Sequence, residues 1–242
     1  MEFVYADELK TLFEVVGHFY DLRISGTIFR CRSSLDIFFK GTSYPSDILP
    51  DAVVVMMNPG SSRPLDRAYI PKVVHANEIS GPWEKEIIPT RPDNAQYQIM
   101  RIMLLQGWKH VRVINLSDLR NGNSGAFSRV FEQASLLDKT NPHCITHPGR
   151  RSELRKSIKT KDDGPVIAAW GSVEVLRDSA NCIIDIAGNL IGMKSDDSPW
   201  YAYASPYMKT HKTVWLRNII REVENRNNGV SGNDSSLSDS GR

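Results

Sequence analysis

The chain has 242 residues, 40% hydrophobic and 24% charged, with 30 Lys and Arg against 28 Asp and Glu, a composition that supports one globular domain with a full core. With no apolar run near ~18 residues, a membrane-spanning helix is excluded. Three cysteines, Cys31, Cys144 and Cys182, lie far apart with no C-x-x-C spacing, which excludes a disulfide framework and an all-cysteine metal cluster.

The start, Met1-Glu2-Phe3-Val4-Tyr5-Ala6-Asp7, lacks a basic stretch ahead of an apolar one, so the expected location is the cytoplasm, without a membrane partner. Residues 6–20 carry Leu9, Leu12, Phe13, Val16 and Phe19 at helical spacing, which predicts a first helix. From Tyr20 to Lys40 the β-formers Leu22/Ile24, Ile28/Phe29 and Ile37–Phe39, separated by Ser25-Gly26 and Ser33-Ser34, predict strands or a hairpin. Pro45 and Pro50 mark a connection. Residues 1–50 thus form an extension of the main domain.

The chain turns on Ala52–Met57, whose Val53, Val54 and Val55 mark a strand buried on both faces, broken at Asn58-Pro59-Gly60. Ligands bind at the carboxyl ends of strands in parallel α/β sheets, which suits the Asn58 amide to chemistry. On the turn alone, the reading that Asn58 bonds its own backbone comes first. Residues 61–95 read as a long loop in which Tyr69, His75 and Trp83 could contact a ligand or anchor the loop.

A helix is predicted from an Asp93 cap to a stop at Gly107, then a strand Val111–Ile114 ending at Asn115. Residues 125–137 read as a helix. The run His147–Lys161, with Arg150, Arg151, Arg155, Lys156, Lys159 and Lys161, suits phosphate binding and equally the solvated face of a helix. Val166–Gly171 is a third buried strand, followed by a helix over Ser172–Ser179 and a fourth strand near Ile183–Ile186. Lys209, His211 and Lys212 precede a helix from Val214 to Val223. The alternation predicts an α/β fold, a three-layer α/β/α sandwich around a mostly parallel four-stranded sheet, as one domain over 1–225, with a disordered tail over 226–242.

In these motifs the chain resembles the uracil-DNA glycosylase superfamily. Met56-Met57-Asn58-Pro59-Gly60 is similar to the G-[IM]-N-P-G motif of its mismatch-specific and single-strand-selective branches, in which the amide at the position of Asn58 holds the attacking water. Gly107-Trp108 with the strand to Asn115 resembles the strand ending in a base-reading asparagine, and Val166–Gly171 the strand ending in Trp-Gly. Ala204-Ser205-Pro206-Tyr207 looks like the second motif, [HN]-P-S-P or a variant, whose serine grips the DNA backbone. The four matches fall in family order over about residues 50–215. From Asn58 through Asn115 to Trp170 the chain is also similar to a family of bacterial and phage proteins carrying M-x-N-P-S and a later A-A-W-G. Two departures stand out: Met56 replaces the motif glycine, which would alter the approach of backbone to base, and Tyr203 stands where the motif histidine falls. The four cysteines of the iron–sulfur branches are absent.

The resemblance implies a uracil-DNA-glycosylase-like fold and a monofunctional DNA glycosylase that flips a nucleotide and removes uracil or a modified pyrimidine. Some relatives act in phage defence by removing glucosylated hydroxymethylcytosine. No cofactor or metal is expected. Asn58 is the expected catalytic residue, and Met57, Asn115 and Tyr69 the base contacts. The expected DNA contacts are Ser205, Tyr207, Lys209, His211, Lys212, Arg150 and Arg151, with Tyr207 or Met208 as a wedge. Asn115 can instead cap a turn, and Asp66 and Asp118 are the nearest acids in sequence that could act as a base. Alternatives are a non-catalytic binder of modified bases and a hydrolase of free nucleotides.

Overall fold

A computed structural model of the chain describes residues 2–42, 48–79, 85–188 and 190–231. The first half comprises α1 (Ala6–Leu12), β1 (Phe13–Ile24), β2 (Thr27–Phe39), β3 (Ala52–Met56), β4 (Arg63–Pro64), β5 (Lys72–His75), β6 (Ile88–Arg91) and α2 (Asn94–Gln106). The second comprises β7 (His110–Asn115), α3 (Ser124–Leu137), α4 (Arg151–Ser157), β8 (Val166–Ala169), α5 (Arg177–Ala187), β9 (Leu190–Ile191) and α6 (Lys209–Ser231).

Four strands, in the order β7-β3-β8-β9, run parallel, with Met56 level with both Asn115 and Ala169. The Val53–Val55 run lies at the middle of this block, wholly buried, as a continuous β-branched stretch dictates. The sheet is larger than the four-stranded one expected. β2 joins β7 antiparallel, β1 pairs with β2, and β4, β5 and β6 complete a mixed sheet of nine strands among the described residues.

Alternate strand residues face two cores. Val53, Val55, Ile114 and Ala168 pack with Phe127 and Phe131 of α3, Leu154 of α4 and Ile183 of α5. Val54, Met56, Val113 and Ile167 pack with Ile99 and Met103 of α2 and with Trp215 and Ile219 of α6. Helices therefore cover both faces of the parallel block. None of the described helices is long and apolar enough to cross a membrane.

Several expectations change. The helix predicted over 6–20 stops at Leu12, because Phe13, Val15, Val16, Phe19 and Tyr20 are stiff or aromatic side chains that pack better on a pleat. The hairpin turns at Ser25-Gly26, both with positive φ (47° and 85°), a backbone twist that matches the flanking strands. Residues 61–95 contain β4, β5 and β6, edge pieces too short to show a period; Trp83, like Pro45, lies outside the described residues. Ile183–Ile186 belongs to α5, and the short parallel strand is β9 instead. Lys209, His211 and Lys212 begin α6, which continues to Ser231, into the tail expected to be disordered.

Candidate functional site

The carboxyl ends of β3, β7 and β8 bring the motif segments together. Asn58 follows β3 and is 8% exposed. Its Nδ2 donates to the Leu119 carbonyl (3.1 Å) and the Asn121 carbonyl (2.8 Å) of the loop after β7. The side chain thus bonds a neighbouring loop rather than its own turn. Because the nitrogen is engaged twice, the amide cannot rotate without breaking both bonds, and the oxygen is left as the end that can accept from a ligand or water.

Asn115, at the last position of β7, sits beside it but is completely buried. With the amide turned to satisfy both ends, its nitrogen donates to the Asn58 carbonyl (3.0 Å) and its oxygen accepts from Arg32 Nη2 (3.3 Å). Asn115, expected to read a base edge, thus presents neither end of its amide to the rim. With no surface and both ends engaged, it ties the β3 turn to the hairpin.

Arg32 is the residue the sequence reading missed. It reaches from β2 beneath the Asn58-Pro59-Gly60 turn, fully buried, and Nη1 donates to the Pro59 carbonyl at 3.4 Å. Burial pulls the guanidinium down to about 10, with Asp93 opposing, so it stays cationic at neutral pH. Among the described residues its Nε is buried without a partner. Asp93 caps α2 through bonds from the Ala95 and Gln96 amides, and its carboxylate crowds Gly60, where an added Cβ would stand 2.5 Å from Oδ2. Gly60 has φ +63° as well, so a side chain there is excluded on two counts.

The other motif segments close the same rim. Trp170, buried after β8, donates through Nε1 to the Pro199 carbonyl (3.0 Å), and Gly171 bridges to Tyr201. Tyr203 is 42% exposed, and the Ser205 hydroxyl is buried without a partner among the described residues. Met57 is half-buried against the α3/α5 layer. Met56, in contrast, points into the α2/α6 core, so it does not alter the approach to the rim as expected.

The expected DNA contacts divide. Tyr207 is fully exposed and Met208 is 52% exposed. His211 is exposed and lines a shallow apolar cleft with Tyr203 and Trp215. Lys209 bonds the Tyr5 hydroxyl at 2.7 Å, which ties its ammonium to the body, and the Lys212 backbone carbonyl accepts from Gln98 Nε2. Arg151, Arg155 and Lys156 lie on the solvated face of α4, whereas Arg150 is buried and cannot reach DNA.

Arg150 belongs to a polar network under the rim. It pairs with Asp118 Oδ2 (2.7 Å) and makes two bonds to Glu153 (2.8 and 2.9 Å), while Tyr20 donates to the same Asp118 oxygen (2.8 Å) and Lys85 reaches Glu153 (2.6 Å). Burial opposes the Glu153 carboxylate, yet Arg150 and Lys85 hold it at about 2. Asp118 has no exposed surface and so is not a base for an incoming water. Asp66 is exposed, with Oδ1 accepting from the Ala68 amide. His143 lies 3.1 Å from Ser117 Oγ, and burial lowers it to about 3; His18, 2.9 Å from Ser33 Oγ, is lowered likewise.

A larger cavity of about 730 Å³ lies on the α4 side of the sheet, where Asp36 Oδ1 meets His110 Nε2 (2.7 Å) and Arg112 Nε (3.1 Å). It is remote from Asn58 in the strand register, toward the amino ends of β3 and β7. Among the described residues no group of His, Cys, Asp and Glu is arranged to hold a metal ion. Compared with models of known families and with curated proteins, the chain finds no match.

Proposed function

We propose that the chain is a monofunctional DNA glycosylase that hydrolyses the N-glycosidic bond of uracil or a modified pyrimidine and leaves an abasic site. The observation that carries this reading is the Asn58 amide, held by two carbonyls at the end of the central parallel strand with its oxygen as the free end. Parallel strands β7-β3-β8-β9 between helical layers also agree with the uracil-DNA-glycosylase-like fold that the motifs imply.

Glycosidic cleavage builds positive charge on the sugar while the bonding electron pair leaves with the base. In this reading Asn58 Oδ1 accepts from a water and aims its oxygen at C1′, where the new C–O bond forms as C1′–N breaks. The water proton passes to solvent, and the departing base takes one up. Arg32 places a fixed, buried cation beneath the turn, whose field favours a base that departs as an anion. Asn115 supports this arrangement from behind and leaves base contact to the rim, where Met57 and Tyr203 are the residues at hand.

Purified protein incubated with DNA carrying uracil, mismatched thymine, hydroxymethylcytosine or its glucosylated form, then treated with alkali, tests the proposal. Strand breaks on one substrate, lost in Asn58→Ala, are expected. A second reading, a nucleic-acid binding protein without hydrolysis, is favoured by the full burial of Asp118, which removes one of the two acids expected as a base. DNA binding with no breaks on any substrate would select it.

A further inference from the structure

Beside the Asn58 turn a cleft of about 470 Å³ is lined by Arg30, Arg63, Arg67 and Arg120, by Asp21 and Asp66, and by Tyr69. Three separate segments supply the arginines: Arg30 from β2, Arg63 and Arg67 from β4 and the segment after it, and Arg120 from the loop after β7. Arg30, Arg63 and Arg67 are exposed, and none of the three forms an ion pair within 4.0 Å among the described residues. Asp21 stands opposite Arg30 across the hairpin, with Oδ1 buried and unbonded among the described residues. Four cations against two anions leave the cleft positive.

Arg120 fixes where this charge lies. Its Nε and Nη2 donate to the Ser62 carbonyl (3.1 and 2.8 Å), and its guanidinium lies over the Phe19 ring. The carbonyls on either side of it in sequence, Leu119 and Asn121, are the two that hold the Asn58 amide. Cleft and amide therefore share one loop. Tyr69 forms an aromatic wall, its hydroxyl donating to Glu86 Oε2 at 3.1 Å.

We propose that this cleft holds the phosphodiester backbone of one nucleic-acid strand, next to the nucleotide presented to Asn58. The placement of that nucleotide rests on the glycosylase reading above; the backbone contact does not. Guanidinium groups bind phosphate oxygens through paired donors, and uncommitted ones on a rigid rim need no protein ion pair broken first. Arginines spread over three segments suit successive phosphates. A single free nucleotide is ordinarily held by a glycine-rich turn or a helix N-terminus, and the lining here has neither. The Tyr69 ring gives a base of the same strand a surface to stack on.

The test is fluorescence anisotropy of a labelled single-stranded oligonucleotide titrated with full-length protein at several salt concentrations. Arg63→Ala/Arg67→Ala removes two exposed side chains, so its thermal melt should match the unmodified protein. The double variant is expected to reduce the slope of log affinity against log salt by about 1.4, which is roughly a 25-fold loss of affinity near 0.1 M salt. Lys139→Ala/Arg217→Ala, exposed residues that do not line the cleft, removes the same charge and should leave the slope unchanged. Equal slopes and affinities in Arg63→Ala/Arg67→Ala and unmodified protein would overturn the proposal. So would unchanged DNA binding with lost binding of a nucleoside monophosphate, which would assign the cleft to free nucleotides. Failure of the glycosylase reading is separate: the unmodified protein would bind DNA with the full slope and release no base.

Discussion

The side chains of Asn58, Asn115 and Arg150 show how position along a strand end decides between chemistry and support. Asn58 keeps an oxygen free, Asn115 keeps nothing free, and Arg150 lies wholly inside. Replacing Asn115 by Ala strands the Asn58 carbonyl and one Arg32 donor in the interior, at a cost of about 1–3 kcal/mol. The expected result is a lower urea midpoint with DNA affinity retained by the folded fraction; loss of base discrimination with unchanged stability would restore Asn115 as a base reader. Arg150→Ala leaves the Asp118 carboxylate buried without a cation and Glu153 with Lys85 as its remaining partner, and a cost of about 3–5 kcal/mol follows. An exposed DNA contact would instead lower affinity and leave the melting temperature in place.

At the scale of elements, the β1–β2 hairpin is the addition that shapes the site, because it delivers Arg32 under the turn and Arg30 to the cleft. Its turn offers a clean test. Gly26 has φ +85° and nothing within 4 Å of an added Cβ, so Gly26→Ala changes backbone preference alone. A loss of about 1–2 kcal/mol in urea unfolding is expected; no loss would mean that the turn relaxes to another form. This turn was legible, since Ser-Gly between β-forming runs has a mechanism. So were β3, β7, β8 and α2, with its Asp93 cap and Gly107 stop, because buried β-branched runs and capping residues act locally. The start of β1 was not: Phe13–Tyr20 satisfies a helical and a strand period alike, and only pairing with β2 decides. Nor was the inward turn of Asn115 or Arg150, which depends on Arg32 and Asp118, partners brought near by the fold rather than by the chain.

For the whole molecule, the buried polar layer ties stability to pH. His18 and His143 are both lowered to about 3 by burial, so the folded protein refuses protons that the unfolded chain takes up near the ordinary 6.5. The stabilisation is complete above 6.5 and is lost as pH falls toward 3, at up to about 1.4 kcal/mol per pH unit for each histidine. Glu153, held at about 2 against an ordinary 4.5, adds a loss of the same sign below 4.5. Urea midpoints should therefore fall steadily below about pH 6.5, and His18→Gln/His143→Gln should flatten the profile between about pH 6.5 and 4.5; an unaltered profile would place the acid sensitivity elsewhere.

The proposed hydrolysis rests on the free oxygen of one amide at the rim of the parallel strands. Its most direct measurement is the single-turnover rate of abasic-site formation on whichever modified DNA the protein cleaves, for the unmodified protein and Asn58→Ala, with bound DNA measured in the same samples. Loss of the water-positioning oxygen predicts a rate lower by at least about 100-fold with affinity retained. Equal rates in the two proteins would contradict it.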